Sequence, residues 1–421
     1  MIIQKSFKYR LYPTPPQAAQ FRQLGGNARF VYNHLLELST QQYEKNEEFI
    51  LGFSLDKQLV NMKKEFPFLK LSYSQSLQAA SQNLARAFLN KFKNRTAEFP
   101  QAKKKNYNDS FTYKQNWTLG RHSIVLPKVG RIRLVKHRPV EGRCKTVTIS
   151  QDGDQWFASV LCEVEIPDPQ PEFREEDFVG VDVGIKSFAV LSDGSVVENP
   201  KFLRKGKKKI CRAQRRLSRK VKGSKNRAKA RLRVARAHRK VRRQREDFQH
   251  KVSSRMIAKY SGIALETLNI RGMMKNHKLA GAIADCAWGG FARFLEYKGR
   301  WAGKPVVRLS QWYPSTQTCS VCGERQTMLL RDRVYICPAC GLGLDRDMNA
   351  SLNIRGEGLW LWLESRPEYL PVDDGDGGLS TLRPVACGEV GLPTSVKQEK
   401  DTRVCLGRLA PVRASGEAAG L

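Results

Sequence analysis

Four cysteines fall into two pairs, Cys319-x2-Cys322 and, fourteen residues on, Cys337-x2-Cys340. A C-x-x-C pair makes a tight knuckle, and a glycine follows the second cysteine of each, Gly323 and Gly341, where a positive φ is useful. In a reducing compartment this spacing means metal rather than disulfides. Four thiolates at about 2.3 Å suit Zn²⁺, and a site closed by four protein ligands leaves no open position for substrate. One structural zinc ion is therefore expected.

Three carboxylates raise a different chemistry. Asp182 lies inside the apolar run "FVGVDVGIKSFAVLSDG", Glu266 in "GIALETL" and Asp347 in "LDRDMNASLNIR". Aspartate is poor in strands and rarely buried without a partner. Each acid also has an ordinary structural role open to it: satisfaction by backbone amides at a strand end for Asp182 and Glu266, helix N-capping for Asp347. Taken together, they fit phosphodiester hydrolysis by two divalent metals about 4 Å apart. Oxygen donors favour Mg²⁺, whose charge would let Asp182 sit in a strand.

Elements that could carry these residues are legible on either side. "IIQKSFKYRLYPT" alternates as a strand, and "TPPQ" opens a helix with Thr14 as N-cap and Gln17 closing a capping box. Helical patterning runs through "ARFVYNHLLELSTQQYEK" and "SYSQSLQAASQNLARAFLNKFKN". Strands follow from about residue 106. In the last of them Trp156, Ala158, Val160, Cys162, Val164 and Ile166 point one way, after the hairpin signal "QDGD". We expect residues 1–172 to be a β-barrel (wedge) domain with a helical insert at about 14–105. Residues 173–355 would form an α/β domain with a zinc ribbon at 315–343, and residues 356–421 a disordered tail, loop-like and acid-rich. The chain is thus read as multidomain, α/β plus β.

Charge points to the partner. Lys and Arg number 74 against 40 acids, a formal charge of +34, which implies a polyanion and nucleic acid before membrane. No run of 18 apolar residues and no signal-peptide pattern is present, so a soluble cytoplasmic protein is expected. Residues 201–245 hold 23 Lys or Arg and no acid, with Leu203, Ile210 and Leu217, then Val234, Val241 and Phe248, at seven-residue intervals. This reads as a basic helical hairpin over 201–260 with a narrow apolar seam. Solvated helices normally mix signs, so contact with a nucleic-acid backbone is expected from Lys208, Arg212, Arg215, Arg216, Arg219, Arg239, Arg242 and Arg243.

An RNase H-like fold supplies one acid in the middle of a hairpin strand, one at a later strand end and one on a helix. "GVDVGIKSFAVLSDG", "ALETLNIRGM", "DCAWGGFARFLEYKGRWAGKPVVRLSQWYPSTQTCSVCG" and "LDRDMNASLNIR" resemble the RuvC-type nuclease of TnpB, the RNA-guided endonucleases of insertion sequences, similar to type V CRISPR effectors. "FKYRLYPTPPQ", "ARFVYNHLLEL" and "SVLCEVEIP" extend the resemblance to residues 1–355; "NAS" after Asp347 departs from the family's usual N-A-A. The resemblance implies Asp182, Glu266 and Asp347 as catalytic ligands of two Mg²⁺ ions, with Asp345 held in reserve. It implies a lid over the cleft at "DCAWGGF", with Gly289 and Gly290 lending mobility. The barrel would grip a guide RNA derived from the transposon end, and the insert would help read a short motif beside a double-stranded DNA target. Gln78 and Gln115 match motif-contacting positions, and glutamine suits adenine. A transposase that joins DNA ends itself, and an RNA-guided repressor that does not cut, are the competing readings.

Overall fold

The N-terminal strand β1 (Ile2–Tyr12) leads into α1 (Pro15–Asn46), and the expected capping box is half visible at their junction: Gln17 Oε1 accepts from the Thr14 N–H at 3.0 Å. The structure, a computed structural model, describes residues 1–46, 49–50, 52–94, 97–105, 109–170, 172–329 and 332–365. Within it Met1–Trp362 is one unit. Helices α2 (Phe53–Glu65) and α3 (Ser74–Lys93) complete the insert. The strands β2 (Ser110–Tyr113), β3 (Thr118–Leu119), β4 (Ser123–Leu126), β5 (Gly130–Val135), β6 (Arg143–Asp152) and β7 (Gln155–Glu165) follow.

These strands and β1 form an antiparallel sheet in the order β2-β6-β7-β1-β5-β4-β3. Among the described residues nothing pairs β2 with β3, so the expected closed barrel is an open half-barrel. The reason lies in the insert. Phe21, Leu24, Val31 and Leu35 of α1 and Leu77 and Leu84 of α3 fill the concave face against Phe7, Tyr9, Leu11 and Val160. A sheet packed by helices in this way buries its apolar face without closing on itself. The alternation read along β7 holds, with Trp156, Ala158, Val160, Cys162 and Val164 all buried.

The second half begins with β8 (Phe178–Val183), β9 (Ser187–Leu191) and β10 (Val196–Glu198), then α4 (Phe202–Ser218) and α5 (Lys225–Lys259). Ser224 caps α5, its Oγ accepting from the Arg227 N–H at 3.1 Å. The seam is real but short: Ile210, Ala237 and Val241 are buried, with Phe202 and Leu203 against them. Next come β11 (Gly262–Leu265), α6 (Ile270–Met273), α7 (Ala280–Cys286), α8 (Trp288–Ala302), β12 (Val306–Arg308), β13 (Val334–Ile336), β14 (Gly343–Asp345) and α9 (Arg346–Glu364). The sheet order is β10-β9-β8-β11-β12; its first three strands are antiparallel and β8, β11 and β12 parallel.

Helix α9 lies directly on this sheet. A Cβ at Gly180 would meet Ser351 O at 2.1 Å and Arg355 N at 2.4 Å, and one at Gly358 would meet the Ala264 Cβ at 2.2 Å. The helix also corrects the tail expected from residue 356, since it continues to Glu364 with Gly358 and Leu359 buried. The rest of that tail, 366–421, lies outside the described residues. A second correction concerns "DCAWGGF". It is the junction of α7 and α8 rather than a free lid, because Trp288 and Phe291 are buried in the core and Asp285 pairs with Arg245 at 3.1 Å. Among the described residues no helix is long and apolar enough to cross a membrane.

Candidate functional site

The parallel register brings the first two carboxylates together. Gly262 pairs with Phe178, and the ladder continues to Leu265 with Val181. One residue further sets Glu266 beside Asp182, on strands about 4.8 Å apart. Asp347 arrives from above: it precedes Ser351 by one turn of α9, and Ser351 sits over Gly180, two residues before Asp182 on the same sheet face. The strand register and the seat of α9 direct all three acids toward the C-terminal ends of the parallel strands.

The electrostatic surroundings of Asp182 agree with this placement. Burial pushes the Asp182 carboxyl well above the usual range; Glu266 and Asp347 push it further, while Arg346 and the Val183 N–H pull the other way. Burial likewise raises Glu266, against a hydrogen bond donated by Ser315 Oγ to its Oε1. Asp347 Oδ1 accepts from Arg346 at 3.0 Å. The helix cap is Asp345, whose Oδ1 accepts from the N–H groups of Asp347 and Met348 at 2.9 and 3.1 Å. Capping is thus the role of Asp345 and leaves Asp347 facing the other acids. An all-oxygen set of like charges suits a hard cation such as Mg²⁺. The carboxylates stand wider apart than the thiols described next, which form the one group of potential metal ligands, among the described residues, gathered within 4.8 Å.

The ribbon is built from two matching knuckles. Gly323 donates to Cys319 O at 3.1 Å and Gly341 to Cys337 O at 3.0 Å, with φ of 76° and 72°. Cys319 and Cys340 Sγ lie 3.7 Å apart, Cys322 and Cys337 Sγ 3.4 Å. Tetrahedral zinc with Zn–S of about 2.3 Å requires sulfur edges of about 3.8 Å, so the thiols fit the ion. Burial pushes the Cys319 thiol up, but the N–H groups of Cys322 and Val321 and the neighbouring thiols outweigh it and bring it to about 6. At Cys322 the Glu324 N–H pulls down, but the thiols crowded beside it push it to about 12, so without a cation one thiolate of the cluster is favoured at its neighbours' expense.

The basic hairpin divides in two. Lys208, Arg212, Arg215, Arg216 and Arg219 line one open concavity along α4. The three α5 arginines named from the sequence all have protein partners, and for the buried Arg239 this corrects the expected role as a free phosphate contact. Arg239 is buried and pairs with Asp154 at 2.8 Å, Arg242 with Asp152 at 2.5 Å, and Arg243 donates to Gln155 at 2.9 Å. These partners are the "QDGD" turn and its flank, so α5 grips the half-barrel. Beside this grip lies a cavity of about 880 Å³ that also receives Arg22, Lys229, Arg231 and Arg245. Gln78 is exposed on α3, and Gln115 is exposed after β2. Gln75, which the sequence reading passed over, joins the two segments: its Nε2 donates to Gln115 Oε1 at 3.1 Å. It stands three residues before Gln78, and that same-face spacing was a usable signal.

A half-barrel sheet filled by helices, a mixed five-stranded sheet and a four-cysteine ribbon define a Cas12f-like fold. The solved Cas12f1–sgRNA–target DNA complex superposes with a TM-score of 0.55 at 14% identity, covering 84% of this chain and 99% of that one. Family profiles described as "Probable transposase", "Cas12f1-like, TNB domain" and "Helix-turn-helix domain" match residues 160–277, 288–354 and 1–48. Within the last span the described residues form a strand, Ile2–Tyr12, and one long helix, Pro15–Asn46. A Streptomyces pristinaespiralis protein described as a candidate RNA-guided DNA endonuclease is 38% identical over 85% of this chain and 90% of its own length. Escherichia coli InsQ, described likewise, is 33% identical over 84% and 92%. The chain belongs to the TnpB family.

Proposed function

We propose that this chain is a metal-dependent, RNA-guided DNA endonuclease encoded by a transposable element. The observation that supports it is the register of β8 and β11 with the seat of α9, which together direct Asp182, Glu266 and Asp347 toward one end of the mixed sheet, in a chain whose relatives are described as candidate RNA-guided DNA endonucleases. The order β10-β9-β8-β11-β12 supports an RNase H-like (RuvC) domain at 173–355. The half-barrel and its insert, 1–172, would hold a guide RNA from the transposon end, as in a wedge domain. Gln78 and Gln115 would face a target-adjacent motif. Base pairing would then supply sequence specificity.

Asp182, Glu266 and Asp347 would hold two Mg²⁺ ions, which supply activation of the attacking water and stabilisation of the leaving oxygen. The chain's own contribution is orientation. Ser315 fixes one oxygen of Glu266, Arg346 fixes one oxygen of Asp347, and the strand ladder sets Asp182 beside Glu266. The residues of α4 offer a continuous positive surface to phosphates. Cys319, Cys322, Cys337 and Cys340 would hold one structural zinc.

The test is cleavage of a plasmid carrying a guide-matched site, with Mg²⁺ and without. Asp182→Ala and Glu266→Ala should each abolish cutting while RNA still copurifies. Strand transfer by RNA-free protein would instead mark a transposase, and tight matched binding without cutting a repressor.

A further inference from the structure

We propose that Ser315 is a positioning residue for Glu266, and that Asn349 and Asn353 make its placement depend on a folded zinc ribbon. This rests on the reading of Glu266 as a metal-holding carboxylate. Ser315 lies where the chain leaves β12 for the first knuckle; it is 3% exposed, and its hydroxyl donates to Glu266 Oε1. A serine hydroxyl has a single proton, so this bond fixes one carboxylate oxygen and leaves the other free for a cation.

Ser315 is itself held from both sides. Its N–H donates to Tyr313 O at 3.0 Å, and its carbonyl accepts from Asn353 Nδ2 at 2.8 Å. The same amide nitrogen donates to Thr318 O at 2.6 Å. One turn earlier on α9, Asn349 Nδ2 donates to Thr318 O at 2.7 Å, and its Oδ1 accepts from the Ser320 N–H at 3.0 Å. Thr318 and Ser320 flank the zinc ligand Cys319. A continuous path therefore runs from Cys319 through Thr318, Asn353 and Ser315 to Glu266. Asparagine is a weak helix former, and both of these are buried, at 0% and 8% exposure. Their side-chain bonds go to the ribbon entrance rather than to α9, so they link the ribbon to the helix that bears Asp347.

Partners of this kind commonly change metal affinity or activity by about 10- to 100-fold. In RNA-loaded protein, Ser315→Ala should raise the Mg²⁺ concentration for half-maximal plasmid cutting by about 10-fold, with zinc content and RNA affinity unchanged. Ser315→Thr keeps the hydroxyl and should stay within about 2-fold of wild type. A second readout needs no cutting: amide hydrogen exchange of residues 262–268, before and after a zinc-selective chelator in excess Mg²⁺. Zinc removal should increase exchange there in wild type and do so less in Asn353→Ala. An unchanged Mg²⁺ requirement in Ser315→Ala, or exchange at 262–268 indifferent to zinc, overturns the proposal. A wild-type protein that never cuts would overturn the nuclease reading instead, and the exchange measurement would still decide the coupling.

Discussion

Arg239, in the middle of the most basic helix, spends its guanidinium inside the protein: it binds Asp154 Oδ1 at 2.8 Å and the Asp152 carbonyl at 2.5 Å, with 7% of its surface exposed. Arg236 takes the other Asp154 oxygen at 2.7 Å. One hairpin turn of the half-barrel is thus gripped by two consecutive turns of α5. The long basic segment has two duties, with α5 joining the two halves and α4 facing outward.

The two duties separate experimentally. Arg239→Ala leaves Asp154 to Arg236 alone, and loss of a charge-assisted bond of this kind costs about 2 kcal/mol. A lower urea midpoint with unchanged salt dependence of RNA binding is expected. Replacing Arg212, Arg215, Arg216 and Arg219 by alanine should do the reverse, keeping the midpoint and making the slope of log K against log salt shallower by about 3.

Acid should release the same grip. Burial pushes the Asp154 carboxyl up, but the bonds from Arg236 and Arg239 pull it down from 3.8 to about 2. A depressed carboxylate contributes stability above its unfolded value and loses it as pH falls through the folded one. After screening by solvent at this partly exposed pair, about 1 kcal/mol should therefore fade between about pH 4 and pH 2. The difference in urea midpoint between wild type and Asp154→Asn, large at neutral pH, should close over that interval.

Asp182 works in the opposite sense. Its folded value lies above the unfolded one, so the folded chain binds the extra proton, and this group's contribution falls as pH rises through the carboxylate range. In chelated protein at neutral pH, Asp182→Asn should raise Tm by about 2–4 °C, the shift about 1 kcal/mol gives a domain of this size, while abolishing cutting. A lower Tm would show that the like charges are not in conflict.

Zinc and ribbon should stand or fall together. Wild-type protein should carry one zinc per chain by elemental analysis, and Cys337→Ser should lose most of it. With the metal gone the ribbon unfolds, exposing Tyr335, now fully buried with its hydroxyl donating to Glu324 O at 3.2 Å. Near-UV circular dichroism would register that loss.

Motif reading gives the fifth test. Gln78→Ala should relax preference at one position of the target-adjacent motif by about 1–3 kcal/mol. Gln75→Ala removes the bond that holds Gln115 and should weaken preference without changing which base is chosen. Sequencing of targets selected from a randomised library would show both effects.

Periodicity and spacing made some of this legible. The knuckles were visible because zinc sulfur geometry imposes a local pattern, and β7 because its alternation is broken only at Phe157, which is buried on the other face. The three acids could be suspected from residue type in an apolar context, but their meeting depends on register between strands some 80 residues apart, which no local pattern encodes. The open half-barrel was missed because closure depends on whether helices or strands fill the concave face. Arg239 was misread for a related reason: one-signed charge announces a polyanion, yet the two aspartates that claim this arginine sit more than 80 residues earlier in a turn. Ser315 carried no signal at all, since its partner lies 49 residues away.

The seating of α9 on bare backbone at Gly180 and Gly358 bears on how such proteins diverge. A single methyl at either glycine cannot be absorbed by a side-chain rotation, because the atoms it meets are main chain or a strand's own Cβ. The helix would have to lift, carrying Asp347 off the other two acids. A paralogue could therefore lose cutting through one Gly→Ala change while every acidic residue survives, so inventories of silent descendants should score these two glycines alongside the carboxylates.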